Sequence, residues 1–512
     1  MDAVDLTIFA SRISAVCDEM GAVLQRSAFS PNIRDRLDYS CAIFDCSGAL
    51  CAQAAHIPVH LGSMAFAMED VVNQIEWSDG DLVILNDPYL GGTHLPDVTM
   101  ISPLFIEDEL EGFVVNRAHH ADIGADTPGS MPVSSTLQEE GIIISPSHLY
   151  REGVLQKPLY QKILSGLRNP ELSKGDFEAQ VSANRAGLKR LQQWIGDLGV
   201  DVYREGLQSL NRYAEQLAAE TLNQIPQGCY TYEDVMDDDG QGNHALPIRV
   251  SVEVNKGKVR VDFSGTAKQT AGNINAPLSV AAAAVYYLFR TLMPPQTPAA
   301  AGSFRAISIA APKGSLLNAL FPAAVAAGNV ETSSRVVAVV MGALSQAIPQ
   351  QMAAASQGTM NNLAMGGRLN GRYWDYYETI GGGMGAGPCC HGLSARQTHM
   401  TNTLNTPVEV LEMTVPVRVQ HYGIRLASGG SGCQQGGDGI VRSFQFLHES
   451  RVTLLTERRE SAPWGLQQGE CGAVGENELD GAVLPAKCSL KVKAGQVLTI
   501  RTPGGGGYGS PQ

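Results

Sequence analysis

The chain has 512 residues and a formal net charge of −14, with 44% apolar and 17% charged residues. This acidic balance argues against nucleic acid and anionic membrane surfaces as partners, because binding to phosphates needs a basic face. The length exceeds what one hydrophobic core organises, so we expect a globular protein with two to four structural units.

The ten cysteines contain no C-x-x-C pair, which argues against a cysteine-based zinc site as the source of any metal chemistry. The first residues, Met-Asp-Ala-Val-Asp, are acidic where a secretory signal needs a basic segment. The most apolar window, residues 271–293, is interrupted by Asn273, Asn275, Pro277 and Arg290 and does not suit a membrane span. We therefore expect a cytoplasmic protein with free thiols and no membrane contact.

The first 225 residues combine helical and strand-like patterns. Apolar residues recur at helical spacing in residues 6–27 and 61–75, and a stretch with few breakers predicts one long helix over residues 176–217. Short apolar or alternating runs predict strands at residues 38–44, 50–54, 81–85 and 112–116. These elements indicate an N-terminal α/β region that spans residues 1–225.

A change in composition near residues 224–228 introduces a β-rich second region, residues 226–512. Alternation predicts strands at residues 248–254, 258–263, 409–420, 439–446 and 451–456. Alanine-rich helical patterns occupy residues 281–292 and 333–348, and a run of glycines fills residues 504–507. The expected fold class is therefore α+β, a mixed fold of more than one unit in which packed helices accompany the β-rich part.

Histidine and aspartate gather in two short loops, residues 86–97 and 116–126, which predicts a divalent metal site. Glycine and proline exclude a regular helix through the first loop, so a tight turn can bring His94 and Asp97 to one point. Side chains alternate faces along a strand, so only one of His119 and His120 should reach the same ion. The predicted ligands are His94, Asp97 and His119, with Asp38 as a possible fourth or bridging ligand.

Other polar residues near these loops are candidates for supporting or catalytic roles. His120 or Asp122 is a candidate general base or a group that orients a ligand, and Arg117 is a candidate clamp for phosphate or carboxylate. A structural ion pair is an equally good interpretation of Arg117. His56 and His60 flank Pro58 and are candidates for the wall of the site, although isolated histidines are more often structural.

Long stretches of the chain resemble the hydantoinase B/oxoprolinase family. The resemblance covers nearly the whole sequence and is strongest at residues 36–42, 86–97, 116–124, 138–141, 176–185, 376–385 and 502–509. Members of that family include second subunits of ATP-dependent hydantoinases, caprolactamase and 5-oxoprolinases, and related subunits of acetone and acetophenone carboxylases. The resemblance implies a metal site at His94, Asp97 and His119 with Asp38 nearby, and an actin-like ATPase as partner in a hetero-oligomer.

The function that the resemblance implies is ATP-coupled hydrolysis of a cyclic amide (EC 3.5.2), such as hydantoin, 5-oxoproline or another lactam. The partner would use ATP to phosphorylate the amide oxygen, and this chain would use a divalent Zn, Mn or Fe ion to activate water. Two alternatives remain open, namely a subunit of an ATP-dependent ketone carboxylase and a non-catalytic scaffold for the ATPase. The chain contains no G-x-x-x-x-G-K-[ST] sequence, in keeping with ATP use by the partner.

Overall fold

A computed structural model describes residues 1–54 and 57–511, without the side chain of Leu61. The predicted candidate His56 therefore lies outside the described residues. Within them the fold is α+β, as the sequence predicts. Helices lie at α1 Ala3–Ser27, α2 Pro31–Arg34, α3 Pro58–Asn73, α4 Lys157–Ser165, α5 Pro170–Leu198, α6 Val200–Asn223, α7 Leu278–Leu292, α8 Ser333–Leu344 and α9 Val408–Thr414.

The strands form four sheets. They lie at β1 Tyr39–Asp45, β2 Leu50–Ala54, β3 Leu82–Leu85, β4 Asp97–Ile106, β5 Glu109–His119, β6 Ser147–Arg151, β7 Val154–Leu155, β8 Gly228–Asp238, β9 His244–Asn255, β10 Lys258–Asp262, β11 Ile307–Ala310, β12 Asn362–Leu369, β13 Arg372–Glu378, β14 Val417–Arg425, β15 Gly439–Phe446, β16 Ser450–Leu455, β17 Glu476–Leu479, β18 Ala482–Val483, β19 Lys487–Val492 and β20 Val497–Arg501.

The first sheet is antiparallel and has the order β2-β1-β5-β4-β3-β6-β7. Its central strands are buried on both faces. Helices α1 and α5 pack on one face and α3 on the other, so the strands are apolar along their length. The long hairpin β4–β5 places its two free ends, at Asp97 and His119, side by side at one edge of this layer.

The second sheet, β11-β10-β9-β8, packs against α7 and α8 in the largest apolar cluster. Helix α7 also packs on α3, and Gly62 allows the approach, because a Cβ there would lie 2.4 Å from the backbone of Ala283. The last two sheets, β13-β12-β16-β19 and β14-β15-β20-β17-β18, share a separate apolar core. No described helix is long and apolar enough to cross a membrane.

The glycine run near the C-terminus forms the axis of a bundle of extended chains. Gly505 donates to the carbonyl of Gly437 and accepts from the amide of Gly430, while Gly506 donates to the carbonyl of Ala355. A Cβ at any of the four glycines 504–507 would lie only 1.8 to 2.1 Å from a neighbouring carbonyl oxygen. Only glycine fits at such a crowded axis, so the run is a packing element.

Two sequence predictions of secondary structure are wrong. The predicted helix 176–217 is two helices, α5 and α6, separated at Gly199, whose φ of 91° ends the first helix. The predicted strand 409–420 is helix α9 followed by strand β14. The division of the chain near residue 225 stays a prediction, although residues from both sides of it build the site described next.

Candidate metal centre

Three side chains meet at the edge of the first sheet. Asp97 begins β4 and lies directly opposite His119, the last residue of β5, in the antiparallel register. Residues paired in this way have Cβ atoms about 5 Å apart, so the sheet alone brings carboxylate and imidazole together. His94 is three residues before Asp97, and the loop between them completes the group. The ligand atoms of His94, Asp97 and His119 all lie within 4.8 Å of one another, and all three residues are buried.

The carboxylate of Asp97 faces two different environments. Its Oδ1 atom lies 3.1 Å from His94 Nε2 and 3.3 Å from His119 Nδ1. Its Oδ2 atom accepts hydrogen bonds from Thr93 Oγ1 at 2.7 Å and Asn329 Nδ2 at 3.1 Å, and His60 Nε2 lies 3.4 Å away. The protein therefore holds one oxygen and leaves the other directed at the two imidazoles.

The donor atoms at this point suit a divalent cation. His94 Nε2 and Asp97 Oδ1 are buried and have no hydrogen-bond partner in the described part of the chain, although they are only 3.1 Å apart. Buried polar atoms are nearly always paired, so either a proton on Nε2 or a metal cation must lie between these two atoms. His94 Nδ1 lies 3.3 Å from the carbonyl of Ala326, which selects the tautomer with a free Nε2 lone pair.

His119 is held from two sides. Its ring stacks on Tyr377 with centroids 4.9 Å apart and an interplanar angle of 9°. Its backbone amide donates to the carbonyl of Asp38. The hydroxyl of Tyr377 in turn donates to Asn362 Oδ1 at 2.7 Å, which fixes the ring against which the imidazole lies. Tyr377 of β13, itself fixed by Asn362 of β12, therefore orients the side chain of His119, which belongs to β5.

Burial and charge act in opposite directions at this centre. Burial alone would raise the pKa of Asp97, but the imidazoles of His94, His60 and His119 hold it well below its ordinary value. Burial alone would lower the pKa of His94. The charge and hydrogen bond of the Asp97 carboxylate act against burial, and the net result is a raised pKa of His94. The carboxylate is thus the stable anion around which the site is built.

A small cavity of about 20 Å³ adjoins the three side chains. Asp38 lines it, but its carboxylate stands outside the compact group and forms an ion pair with Arg36, with Oδ2 and Nη2 3.7 Å apart. The predicted fourth ligand therefore lies beside the centre without joining it. A cavity of this volume holds about one water molecule.

The structure places the three predicted catalytic residues away from this cavity. His120 faces α5, where its Nε2 lies 2.9 Å from Gln180 Oε1 and its ring stacks on Phe177. Asp122 Oδ2 accepts from the amides of Arg168 and Asn169 and so holds the start of α5. Because side chains alternate faces along a strand, only one of the two histidines is expected to reach the site. In the structure His119 faces the cavity and His120 does not.

Arg117 shapes the loop that carries His94. Its guanidinium donates to Thr99 Oγ1, Ser63 Oγ and the carbonyl of Gly91 at 2.7 to 3.0 Å. Burial lowers the pKa of Arg117 to about 10, against the raising effect of Asp97. Each of the three guanidinium nitrogens donates to a group of the protein, so the side chain links strand β4, helix α3 and the loop.

The cavity contains one residue that the sequence predicts for its wall and several that it does not. His60, the predicted candidate, lies on the first turn of α3 and lines the cavity. Asn329 lies in a π-helical turn, Gly328–Thr332, directly before the helical pattern that the sequence predicts from residue 333. Such turns are frequent at functional sites, but they are not recognisable from sequence. Three threonines complete the wall from the C-terminal region: Thr379, Thr401 and Thr403.

Known proteins resemble this chain over its whole length. It is 38% identical to 5-oxoprolinase 1 of Arabidopsis thaliana over 99% of this chain, but it spans only 42% of that protein. It is 32% identical to a protein of Pseudomonas sp. (strain NS671) that is named as one subunit of a D-/L-hydantoinase, over 100% of this chain and 90% of that one.

Solved structures show the same fold. The ATP-dependent caprolactamase of Pseudomonas jessenii matches with a TM-score of 0.93 and 26% identity, over 100% of this chain and 91% of that chain. An acetone carboxylase matches with a TM-score of 0.89 at 17% identity, over 99% and 76% of the two chains, a likeness of fold alone. The profile of the Hydantoinase B/oxoprolinase family matches residues 2–511. The chain therefore belongs to the Hydantoinase B/oxoprolinase family.

Proposed function

We propose that this chain is the hydrolytic subunit of an ATP-coupled cyclic amide hydrolase and that His94, Asp97 and His119 hold its divalent cation. Membership of the family and the likeness to caprolactamase support an ATP-dependent cyclic amide hydrolase subunit in general. The observation that carries the finer proposal is the convergence of unpaired, buried His94 Nε2 and Asp97 Oδ1 at one point. The donor set of two imidazoles and one carboxylate suits Zn, Mn or Fe(II).

An unstrained cyclic amide is a poor electrophile, so two kinds of assistance are needed. Phosphorylation of the amide oxygen by the partner, with ATP, would turn that oxygen into a leaving group. A divalent cation, when bound, lowers the pKa of water and stabilises developing negative charge. Thr93 and Asn329 fix the orientation of Asp97, and the stacked ring of Tyr377 fixes that of His119.

Proton transfer has a candidate in His60. His60 lines the cavity, lies 3.4 Å from Asp97 Oδ2 through Nε2, and lies 3.3 Å from Ser40 Oγ through Nδ1. We assign it the task of holding a proton next to the carboxylate. The predicted roles of His120 and Asp122 as base, and of Arg117 as anion clamp, stay predictions, and their present contacts support structural roles.

We further propose a separate ATPase partner of the actin-like class and a hetero-oligomeric enzyme. The name of the Pseudomonas relative, which describes one subunit of a hydantoinase, supports a second and different chain. The plant 5-oxoprolinase is more than twice as long as the region that matches this chain. The additional length leaves room for an ATPase part beside the hydrolytic part in one chain, which supports the proposal.

The experiment that tests the proposal measures ADP release by this chain together with the protein that co-purifies with it. Candidate substrates are 5-oxoproline, hydantoin, caprolactam, and acetone with bicarbonate. We expect ADP release and ring opening with at least one cyclic amide. Turnover only with ketone and bicarbonate would replace hydrolysis by carboxylation, the reaction named for the acetone carboxylase that shares this fold.

The variant His94→Ala distinguishes a catalytic subunit from a non-catalytic scaffold for the ATPase. We expect it to lose the bound cation and at least a hundredfold in turnover, since one of three ligands is removed. Elemental analysis and size-exclusion chromatography with the partner would show whether assembly is retained. Unchanged turnover with intact assembly would support a scaffold and contradict the proposal.

A further inference from the structure

Three threonines, Thr379, Thr401 and Thr403, line the same cavity as His94, Asp97 and His119, among otherwise largely apolar residues. Thr379 follows β13, and Thr401 and Thr403 belong to an extended segment before α9. In that segment Thr401 and Thr403 are 4% and 5% exposed, whereas Asn402 and Leu404 between and after them are exposed. Such alternation is typical of extended backbone, and it directs both threonines inward.

The hydrogen bonds of Thr379 fix the direction of the hydroxyl chain. Its Oγ1 atom accepts from Gln397 Nε2 at 3.1 Å and from Arg36 Nη2 at 3.4 Å, which occupies both lone pairs. The same Nε2 donates to the carbonyl of Thr379, so this end of the Gln397 side chain is the NH2 group. The hydroxyl hydrogen of Thr379 must therefore point to Thr403 Oγ1, 2.6 Å away.

Thr403 then has a hydrogen to donate and no acceptor among the described residues. Thr401 Oγ1 is likewise buried and without a partner in the described part of the chain. Other buried hydroxyl groups of the described residues, among them Thr406 Oγ1, also lack a partner, but Thr401 and Thr403 both line this cavity. Buried polar groups are usually paired, so a ligand in the cavity would satisfy both. Behind them lies Arg36, fully buried, whose guanidinium donates to Thr379 Oγ1 and is paired with the carboxylate of Asp38.

We propose that Thr401 and Thr403 form a donor wall that binds an anionic oxygen of the reacting molecule, a phosphoryl or carboxylate oxygen, in the cavity that they share with His94, Asp97 and His119. The proposal rests on the function proposed above and names the chemical group that the second wall recognises. Both oxygen types accept hydrogen bonds and carry charge, and they occur in the activated amide and in the opened product respectively. The cavity of about 20 Å³ holds one such atom, so its lining must rearrange to admit the rest of the molecule.

The test uses the full chain loaded with Mn²⁺ and measures binding of inorganic phosphate and of L-glutamate by calorimetry. Thr401→Val and Thr403→Val remove the hydroxyl groups at nearly constant volume. We expect each to weaken the binding of the preferred anion at least tenfold, because a hydrogen bond to a charged group is lost. Thr403→Ser keeps the hydroxyl and should restore affinity to within a few-fold of the unchanged protein. The anion that binds more tightly, phosphate or L-glutamate, shows whether Thr401 and Thr403 bind a phosphoryl or a carboxylate oxygen.

Thr406→Val is the matched control. Thr406 is buried in the same segment but lies beside Tyr376 and outside the cavity wall, so the variant should bind both anions normally. Mn²⁺ affinity, measured separately by electron paramagnetic resonance, should be unchanged in every variant. Equal anion affinity in the valine variants and the unchanged protein would overturn the donor wall. So would a failure of the Mn²⁺-loaded chain to bind either anion, while amide-dependent ADP release would still uphold the proposed function.

Discussion

At the scale of single residues, the carboxylate of Asp97 divides its two oxygens between the protein and the cation site. Thr93 and Asn329 donate to Oδ2, and this leaves Oδ1 facing His94 and His119. A carboxylate held in this way loses little freedom when it binds a cation. The surrounding donors should therefore affect metal affinity although none of them is a predicted ligand.

Asn329→Ala removes one of these donors. We expect the Kd for Mn²⁺ to rise about tenfold to a hundredfold, the range typical for residues that orient metal ligands. A titration followed by electron paramagnetic resonance would measure it. Ser334→Ala, a buried change in the adjacent helix that touches none of the three side chains, should leave the Kd unchanged. Equal Kd values for both variants would contradict the orienting role.

Glu331 provides a pH-dependent test two residues further along. Burial raises its pKa to about 7 from an ordinary value of 4.5, although Met360 and Asn362 donate to its Oε1 atom. The folded chain thus binds this proton more tightly than the unfolded chain. Its contribution to stability is full below pH 4.5 and is lost as the pH rises through about 7.

Glu331→Gln removes that titration. From pH 4.5 to pH 8, the variant should gain up to about 3 kcal/mol in unfolding free energy relative to the unchanged protein. Urea unfolding at the two pH values measures the difference, and the exposed change Glu220→Gln serves as control. A difference between variant and parent that stays constant with pH would show that Glu331 does not titrate in this range.

The sequence identifies the three candidate ligands because they are neighbours in the chain or in a hairpin. His94 and Asp97 share one loop, and His119 follows the next strand, so their types and spacing were sufficient. Asn329, Tyr377, Thr401 and Thr403 reach the cavity from more than 200 residues away. Asparagine and threonine are common in ordinary loops, and no local pattern marks them as part of a site.

At the scale of elements, a single glycine decides how α5 and α6 are joined. Residues 176–217 have helical periodicity throughout, and the sequence therefore predicts one helix. Gly199 adopts φ 91° and ψ 139°, which ends α5 and redirects the chain into α6. The strand predicted at 409–420 fails for a related reason, because a helix of only seven residues, α9, is too short to show helical periodicity.

Gly199→Ala and Gly196→Ala form a matched pair. Neither position has an atom within 4 Å of an added Cβ, so space is equal and only backbone conformation differs. Gly199→Ala should destabilise the protein by about 1 to 2 kcal/mol, since alanine is strained at positive φ. Gly196→Ala, in the helical part of α5, should stabilise it by about 0.5 to 1 kcal/mol. Thermal unfolding would measure both, and shifts of the same sign would contradict this explanation.

At the scale of the whole molecule, the bundle around residues 504–507 connects segments from much of the C-terminal region. The run donates or accepts backbone hydrogen bonds with chains near residues 355, 386, 430, 437, 466, 470 and 473. The sequence shows a glycine run and allows its interpretation as a packing loop, but it cannot show which chains surround it. That information lies in long-range contacts alone.

Gly505→Ala tests how closely this bundle is packed. An added Cβ would lie 2.0 Å from the carbonyl oxygen of Met384, a backbone atom that cannot move aside easily. We expect a loss of more than about 3 kcal/mol in unfolding free energy, or failure to accumulate as folded protein. Gly196→Ala again provides the control without a clash. Near-normal stability of Gly505→Ala would mean that the bundle relaxes far more readily than its geometry indicates.

The candidate centre draws its parts from widely separated stretches of the chain. Asn329 contacts Asp97 and the carbonyl of Ala326 contacts His94, each across 232 residues, and Tyr377 stacks on His119. A nascent or partly assembled chain therefore lacks the complete set of contacts that would retain an ion. Uptake of metal should therefore be among the last events on the folding pathway. The fraction of molecules that carry an ion would then equal the fraction that has reached the native state.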